Sequence, residues 1–422
     1  MRVAPWLTIG VAILAISPAR SEDWPCWRGA KGDGISRESG LLAKWPENGP
    51  RQLWRTKLTG GYSSMAVVDG RLFTMTKQDN QEIVLCLDTA SGRENWRYAY
   101  GCDYKAHPTL TGGYPPGKYL SGPRATPAVD DDRVYTIGTT GILLCLDCKT
   151  GSKIWRVDLL DLAQRKCPDP GYCASPMVKA NRIYVQPGGE NGKSAFALNK
   201  SDGQVIWHGL NDRIGYGTPV WIEHQGTPQV IFFTGEAAVG VAPESGTELW
   251  RYPWKTQYDL NVATPVYSEG KVFVSSNYGT GGAVFRLAEL LKPETVWKKK
   301  TMTNHCATSV FFEGNLYGFS ERRLRCIDFQ TGDVKWDHSG LGLGTLLMAD
   351  GKLVALSDKG DLYLLKAAPA AYEVISHCSV FPDRPLTWTV PVVSGGKLFV
   401  RSENELVAFD VAGTPSSATQ GN

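Results

Sequence analysis

The stretch CLDCKTGSKIW, residues 145–155, decides how this chain of 422 residues is read. Cys145 and Cys148 stand as C-x-x-C, a spacing shared by redox pairs, half zinc sites and haem attachment sites. The same residues also read as a structural tile: a strand end, a T-G turn and a closing Trp. Kindred stretches favour the tile. CLDTASGRENW ends at Trp96, ALNKSDGQVIW at Trp207, GVAPESGTELW at Trp250, RLAELLKPETVW at Trp297 and CIDFQTGDVKW at Trp336. From Trp96 through Trp155 to Trp336 the steps are 59, 52, 43, 47 and 39 residues, the period of a solenoid or propeller.

Within each period the order of signals is constant. A [ST]-P start (Thr126-Pro127, Ser175-Pro176, Thr218-Pro219, Thr264-Pro265) leads into an alternating strand and a Gly or Asp turn. Second and third strands follow, such as RVYTIG and ILLCLD, and after a T-G or S-G turn a fourth ends at Trp. Alternation with tight-turn residues identifies strands rather than helices. Four short antiparallel strands per unit make a blade, so the expected fold is an all-β, eight-bladed β-propeller. First strands fall near Ser64, Thr126, Ser175, Thr218, Thr264, Thr308, Thr345 and Thr389. The seventh unit has lost its Trp, and the eighth stops after three strands at Asp410. Its missing strand is supplied by PRQLWRTKL around Trp54, so the N-terminal strand closes the ring.

The tile reading disposes of C-x-x-C. Cys86, Cys145 and Cys326 share one column, before the turn, where other blades place Ala or Leu and side chains enter the blade core. Cys148 lies three residues on, facing away from Cys145. No His follows it and no second C-x-x-C exists, so neither haem nor zinc is indicated. The prolines between Cys167 and Cys173 make that pair the expected disulfide, and Cys26 is a second candidate for a bridge.

Residues 1–21 read as a signal peptide: Met1-Arg2, an apolar run from Trp6 to Ile16, then small residues around Ala19. That run is too short to span a bilayer and no later one approaches the length, so no transmembrane segment is expected. Cys26 has no lipobox. The expected product is a periplasmic or secreted monomer, with the propeller over 22–413 and a small polar, disordered tail over 414–422. With 45 basic against 42 acidic residues and no basic cluster, a nucleic-acid partner is not expected.

The A-x-D-x-x-T-G-x-x-x-W tiles, with DWPCWRGAKGDGIS (23–36), GPRATPAV (122–129), GTGGAVFRL (279–287) and NLYGFS (315–320), resemble PQQ-like, quinoprotein-type β-propeller repeat proteins over essentially the whole mature chain. The opening resembles exported propellers of planctomycete-type bacteria. Two kinds of relative frame the function. Quinoprotein alcohol dehydrogenases hold pyrroloquinoline quinone and calcium over the propeller centre, with an acidic base and an adjacent-cysteine disulfide. The BamB-type propeller of the outer-membrane assembly machinery is a non-catalytic scaffold. This sequence has no Cys-Cys pair and no lipobox, and so departs from both.

Propeller geometry directs attention to residues just before each first strand, which converge on one channel face. Two places before the start stand Tyr62, Arg124, Cys173, Tyr216, Val262, Cys306, Leu343 and Trp388; one place earlier stand Gly61, Pro123, Tyr172, Gly215, Asn261, His305, Gly342 and Thr387. The candidate ligand ring is Tyr62, Arg124, Tyr172, Tyr216, Asn261, His305 and Trp388. A quinone would stack on Trp388 or a Tyr and direct its carboxylates to Arg124. Neither column holds an Asp or Glu for calcium or a base, and Asp259 would have to reach inward. His305 beside Cys306 admits a metal pair or a catalytic dyad, although a loop histidine is ordinarily just hydrogen-bonded. Asp130-Asp131-Asp132 reads as a hairpin turn. The expectation is therefore an exported, non-catalytic scaffold, without cofactor, holding a protein or glycan partner on the channel face. A dehydrogenase using the quinone with calcium is the alternative. Insertions at 104–122 and 158–172 are expected to raise a rim, and the segment 23–36 to pack across a face of the disc, with plugging or rimming of the central channel as the alternative.

Overall fold

The computed structural model describes residues 22–104, 122–288 and 292–413. The signal peptide, almost all of the insertion at 104–122 and the polar tail lie outside the described residues. The sheets form eight blades of four antiparallel strands, in chain order from channel to rim in blades one to seven, with Ile35–Ser36 added in parallel inside blade seven. Their innermost strands are Ala66–Val68, Ala128–Asp130, Met177–Lys179, Val220–His224, Val266–Ser268, Val310–Phe312, Thr345–Ala349 and Val392–Ser394. Each follows one of the expected starts. The strand Arg51–Lys57 pairs with Glu405–Asp410 as the outermost strand of blade eight, so the ring is closed as the sequence implied.

The tile holds neighbouring blades together. Each tile Trp stands opposite a bulge in its own blade, and all but Trp250, whose indole donates to Gln229 of its own blade, reach across to the turn of the next. Trp54, Trp96, Trp155, Trp207, Trp297 and Trp336 donate their indole N–H to the carbonyls of Thr89, Cys148, Lys200, Pro243, Phe329 and Ala368, at 2.8–3.2 Å. The turn itself is fixed by the Asp that precedes it. Asp147 accepts from the N–H groups of Lys149 and Thr150 and from the Thr150 hydroxyl, which holds its carboxyl below the usual range. Cys145 is fully buried in the core shared with Tyr135 and Trp155, while Cys148 is buried beside Trp96 on the other side of the sheet. The opening stretch is therefore one jaw of a clasp between blades.

Gly151 shows why the turn demands glycine. Its φ is +72°, and a Cβ there would lie 2.5 Å from the Trp96 ring. Gly151→Ala combines a left-handed backbone with overpacking, and is expected to cost about 2–4 kcal/mol, read as a lower urea midpoint with an unchanged slope.

All ten cysteines are free thiols, so the expected Cys167–Cys173 disulfide and a bridge at Cys26 are not present. Spacing along the chain does not bring two Cβ atoms into disulfide geometry. Part of the 158–172 insertion is packed rather than raised: Leu159–Leu162 forms one helical turn capped by Asp158, with Leu159 and Leu160 buried.

The segment from Glu22 to Glu38 follows the channel alternative. It runs within the ring of innermost strands, bonded to six blades. Trp24 exchanges main-chain hydrogen bonds with Val67, and Pro25 accepts from Val129 N–H, each at 2.8 Å. The Trp27 indole donates to Thr264, and the Arg28 guanidinium to the carbonyls of Ser309 and Thr308. Ile35–Ser36 pairs in parallel with Met348 and Ala349, and Glu38 accepts from Gly395 and Gly396 N–H. The partners run from residues just before the first strands of blades five and six to the far ends of those of blades seven and eight, so the segment fills part of the channel's depth. Trp24 and Arg28 are 2% and 5% exposed. Further on, buried Trp45 lies beside Ser376, which occupies the Trp position that blade seven lacks; Trp45 N–H donates to the Ser376 hydroxyl at 3.0 Å.

Candidate functional site

The N-terminal segment thus occupies the channel, and the loops leading into the first strands form its mouth. Tyr62 and Trp388 of the expected ring meet across the seam between blades one and eight, ring centres 5.7 Å apart. Arg124 donates to the Pro170 carbonyl, and its Nη1 lies 3.9 Å from the Cys173 sulfur. Tyr172 and Tyr216 are buried in the core between blades, the Tyr172 hydroxyl without a partner among the described residues. Asn261 does not face the mouth. It is fully buried, donating to the carbonyls of Thr234 and Trp254 and accepting from Ser276. Asp259 does not reach inward either: its carboxylate pairs with Arg213 at 2.9 Å, and burial pushes its carboxyl above the usual range.

His305 and Cys306 do come together with further groups. The Cys306 sulfur is 3.1 Å from His305 Nδ1, and His305 Nε2 is 3.2 Å from the Tyr278 hydroxyl. Tyr278 packs edge-on against Tyr258, ring centres 5.4 Å apart. The supporting loop is pinned on both sides. Thr303 bonds Ser320, and Asn304 takes a bond from its own N–H to Ser275 while its amide donates to the Phe319 carbonyl. A cleft beside the pair is lined by Phe319, Glu321, Leu343, Thr345 and Trp388.

Loops before first strands supply only part of the mouth. Turns between second and third strands open on the same face, and they supply Tyr278, Glu321 and Asp358. A Ser followed by an acid in Ser320-Glu321, Ser357-Asp358 and Ser402-Glu403 was the available signal. Asp358 is 4% exposed, accepts from Leu343 N–H at 3.1 Å and faces Arg322 at 3.5 Å. A Cβ on Gly342 would lie 2.0 Å from its carboxylate, so the backbone closes over it.

Calcium asks for six or more oxygen ligands, and no group of three His, Cys, Asp or Glu among the described residues is arranged to hold a metal. Asp358 and the Asn261 amide are committed to the wall, and Trp388 is in contact with Tyr62. Among the described residues no helix is long and apolar enough to cross a membrane.

Comparison with known proteins agrees with the architecture. The chain is 24% identical over 264 residues to the outer membrane protein assembly factor BamB of Shewanella oneidensis, a match spanning 58% of this chain and 64% of that protein's length. Crystallographic BamB from Moraxella catarrhalis superposes with a TM-score of 0.62 at 14% identity, over 86% of this chain and 99% of that one. Quinohemoprotein alcohol dehydrogenase from Comamonas testosteroni superposes with a TM-score of 0.64 at 13% identity, over 96% and 82%. At such identities the superpositions establish the fold alone. The family profile PQQ_2 matches residues 37–115 and 105–338, most of the chain, and the chain belongs to that family, described as outer membrane protein assembly factor BamB.

Proposed function

We propose that this protein is an exported, non-catalytic propeller that holds a protein partner on its channel face, as a component of outer-membrane protein assembly. The observation that carries the reading is the family match over residues 37–338 together with a mouth whose acidic and amide groups brace the wall. A redox enzyme of this fold needs free donors for its metal and a base; a scaffold needs a shaped, accessible surface. Tyr258 and Tyr278, 57% and 43% exposed, give the mouth large apolar area with polar tips, the composition of interface anchors.

The test is photo-cross-linking from position 258 in intact cells exporting the protein. One dominant adduct with a component of the outer-membrane assembly apparatus is expected, lost when Tyr278→Ala is added. Saturable binding of pyrroloquinoline quinone with calcium, accompanied by dye reduction on an alcohol, would overturn the reading.

A further inference from the structure

The Cys306–His305–Tyr278 chain is not needed by a scaffold. Nine of the ten thiols have their pKa raised, mainly by burial: Cys26 to about 12, Cys167 and Cys378 to about 11. Cys306 is the exception and is exposed at the mouth. Desolvation there opposes ionisation, but the His305 charge and hydrogen bond, with Arg124 opposite, outweigh it and hold the thiol below its usual range. The Cys306 thiolate in turn raises His305. The other charged or titrating groups facing this pair are Cys173, which lies against Arg124, Glu321 and Arg322, whose effects on His305 oppose each other, and the Tyr258–Tyr278 pair.

We propose that Cys306 is a thiol-modification site that His305 activates, taking up small disulfides bearing carboxylates and holding them as mixed disulfides in the channel mouth. The proton passes from Sγ to His305 Nδ1, and Tyr278 keeps the ring oriented through Nε2. The thiolate attacks one sulfur of R–S–S–R; a new S–S bond forms, the old one breaks, and its electron pair leaves on RS⁻. That thiolate takes the proton from the imidazolium and departs as RSH. No electrons are needed from elsewhere, because the incoming disulfide is reduced as Cys306 is oxidised. Arg124 Nη1 lies 3.9 Å from the Cys173 sulfur, and its charge also acts on Cys306. Its charge favours a thiolate and an anionic disulfide, and disfavours a metal cation at the same sulfur. The reaction goes beyond partner binding and does not depend on it.

The experiment treats the full chain with glutathione disulfide or with cationic cystamine between pH 5 and 9, and follows the adduct by intact mass and peptide mapping. Expected is first modification at Cys306, with a pH midpoint below that of an ordinary thiol and faster uptake of glutathione disulfide than of cystamine. His305→Gln, checked for an unchanged unfolding midpoint, should slow the reaction at pH 6 about tenfold and move the midpoint up by about one unit. Arg124→Gln should narrow the preference between the two reagents. First modification at another cysteine, or a midpoint that His305→Gln leaves in place, overturns the site. Cystamine reacting as fast as glutathione disulfide overturns the anionic class.

Discussion

Arg401→Met is expected to lower the stability of the ring by about 3–5 kcal/mol, the range for removing one member of a buried charged network. Arg401 ends the second strand of blade eight and has no exposed surface. Its Nη1 donates to the Ser63 carbonyl, the Thr74 hydroxyl and the Met75 carbonyl at 2.6–2.7 Å. Its Nη2 donates to the carbonyls of Gly60 and Gly61 at 3.0 and 3.1 Å. Every acceptor belongs to blade one, across the seam where the ring closes. Burial pushes the guanidinium pKa down to about 9, which leaves it charged at neutral pH. Methionine fills similar volume but removes the donor, and because the Ser63 and Gly60 carbonyls keep bonds from the Thr74 and Thr76 hydroxyls only part of the set is orphaned, at about 1–3 kcal/mol for each group left without a partner. Arg401→Lys keeps the charge but loses the planar fork, and should fall between. Urea unfolding decides it: a loss for Met no larger than the roughly 0.5 kcal/mol of an ordinary surface change would mean that the seam is held elsewhere.

What the sequence made legible was whatever repeats locally. Strand alternation, turn residues and the Trp column are set by neighbours along the chain, so blade number and the closing strand were readable. The pairing of Trp54 opposite Ala408 follows directly from that column. The mouth was less readable. A residue's place before a strand fixes its height in the ring but not the side to which it turns, so Tyr62 and Trp388 meet while Asn261 is drawn into the wall. Tyr278 and Asp358 were missed because their turns reach the same face from a different part of each blade. The Cys306–His305 contact was visible as adjacency, but the Tyr278 hydroxyl that completes it is 27 residues away. The channel-filling segment has no period at all, and only its two Trp, its Arg and its Cys hinted that it is not a free arm.

That segment and the closing strand have separable effects, which two truncations distinguish. Beginning the chain at Ser39 removes Trp24, Arg28 and the parallel pairing with blade seven, and leaves Trp45 and the strand Arg51–Lys57 in place. This chain is expected to keep the oligomeric state of the full protein, with a lower melting temperature and a more open channel. Beginning at Leu58 removes the closing strand as well. The edge of Glu405–Asp410 then loses its partner strand, and the blade-one turn loses the Trp54 indole on Thr89. An unpaired, apolar strand edge is a template for association, so this chain is expected to aggregate or to form dimers that exchange strands. Trp54→Ala is the point version. It keeps the backbone ladder but removes the clasp and the contact with Phe399, at a cost of about 3–5 kcal/mol. Light scattering and thermal melts of the three forms check the order. A monomeric, cooperatively melting chain from Leu58 would mean that seven complete blades and three strands close without the N-terminus, and that Trp54 contributes only local packing.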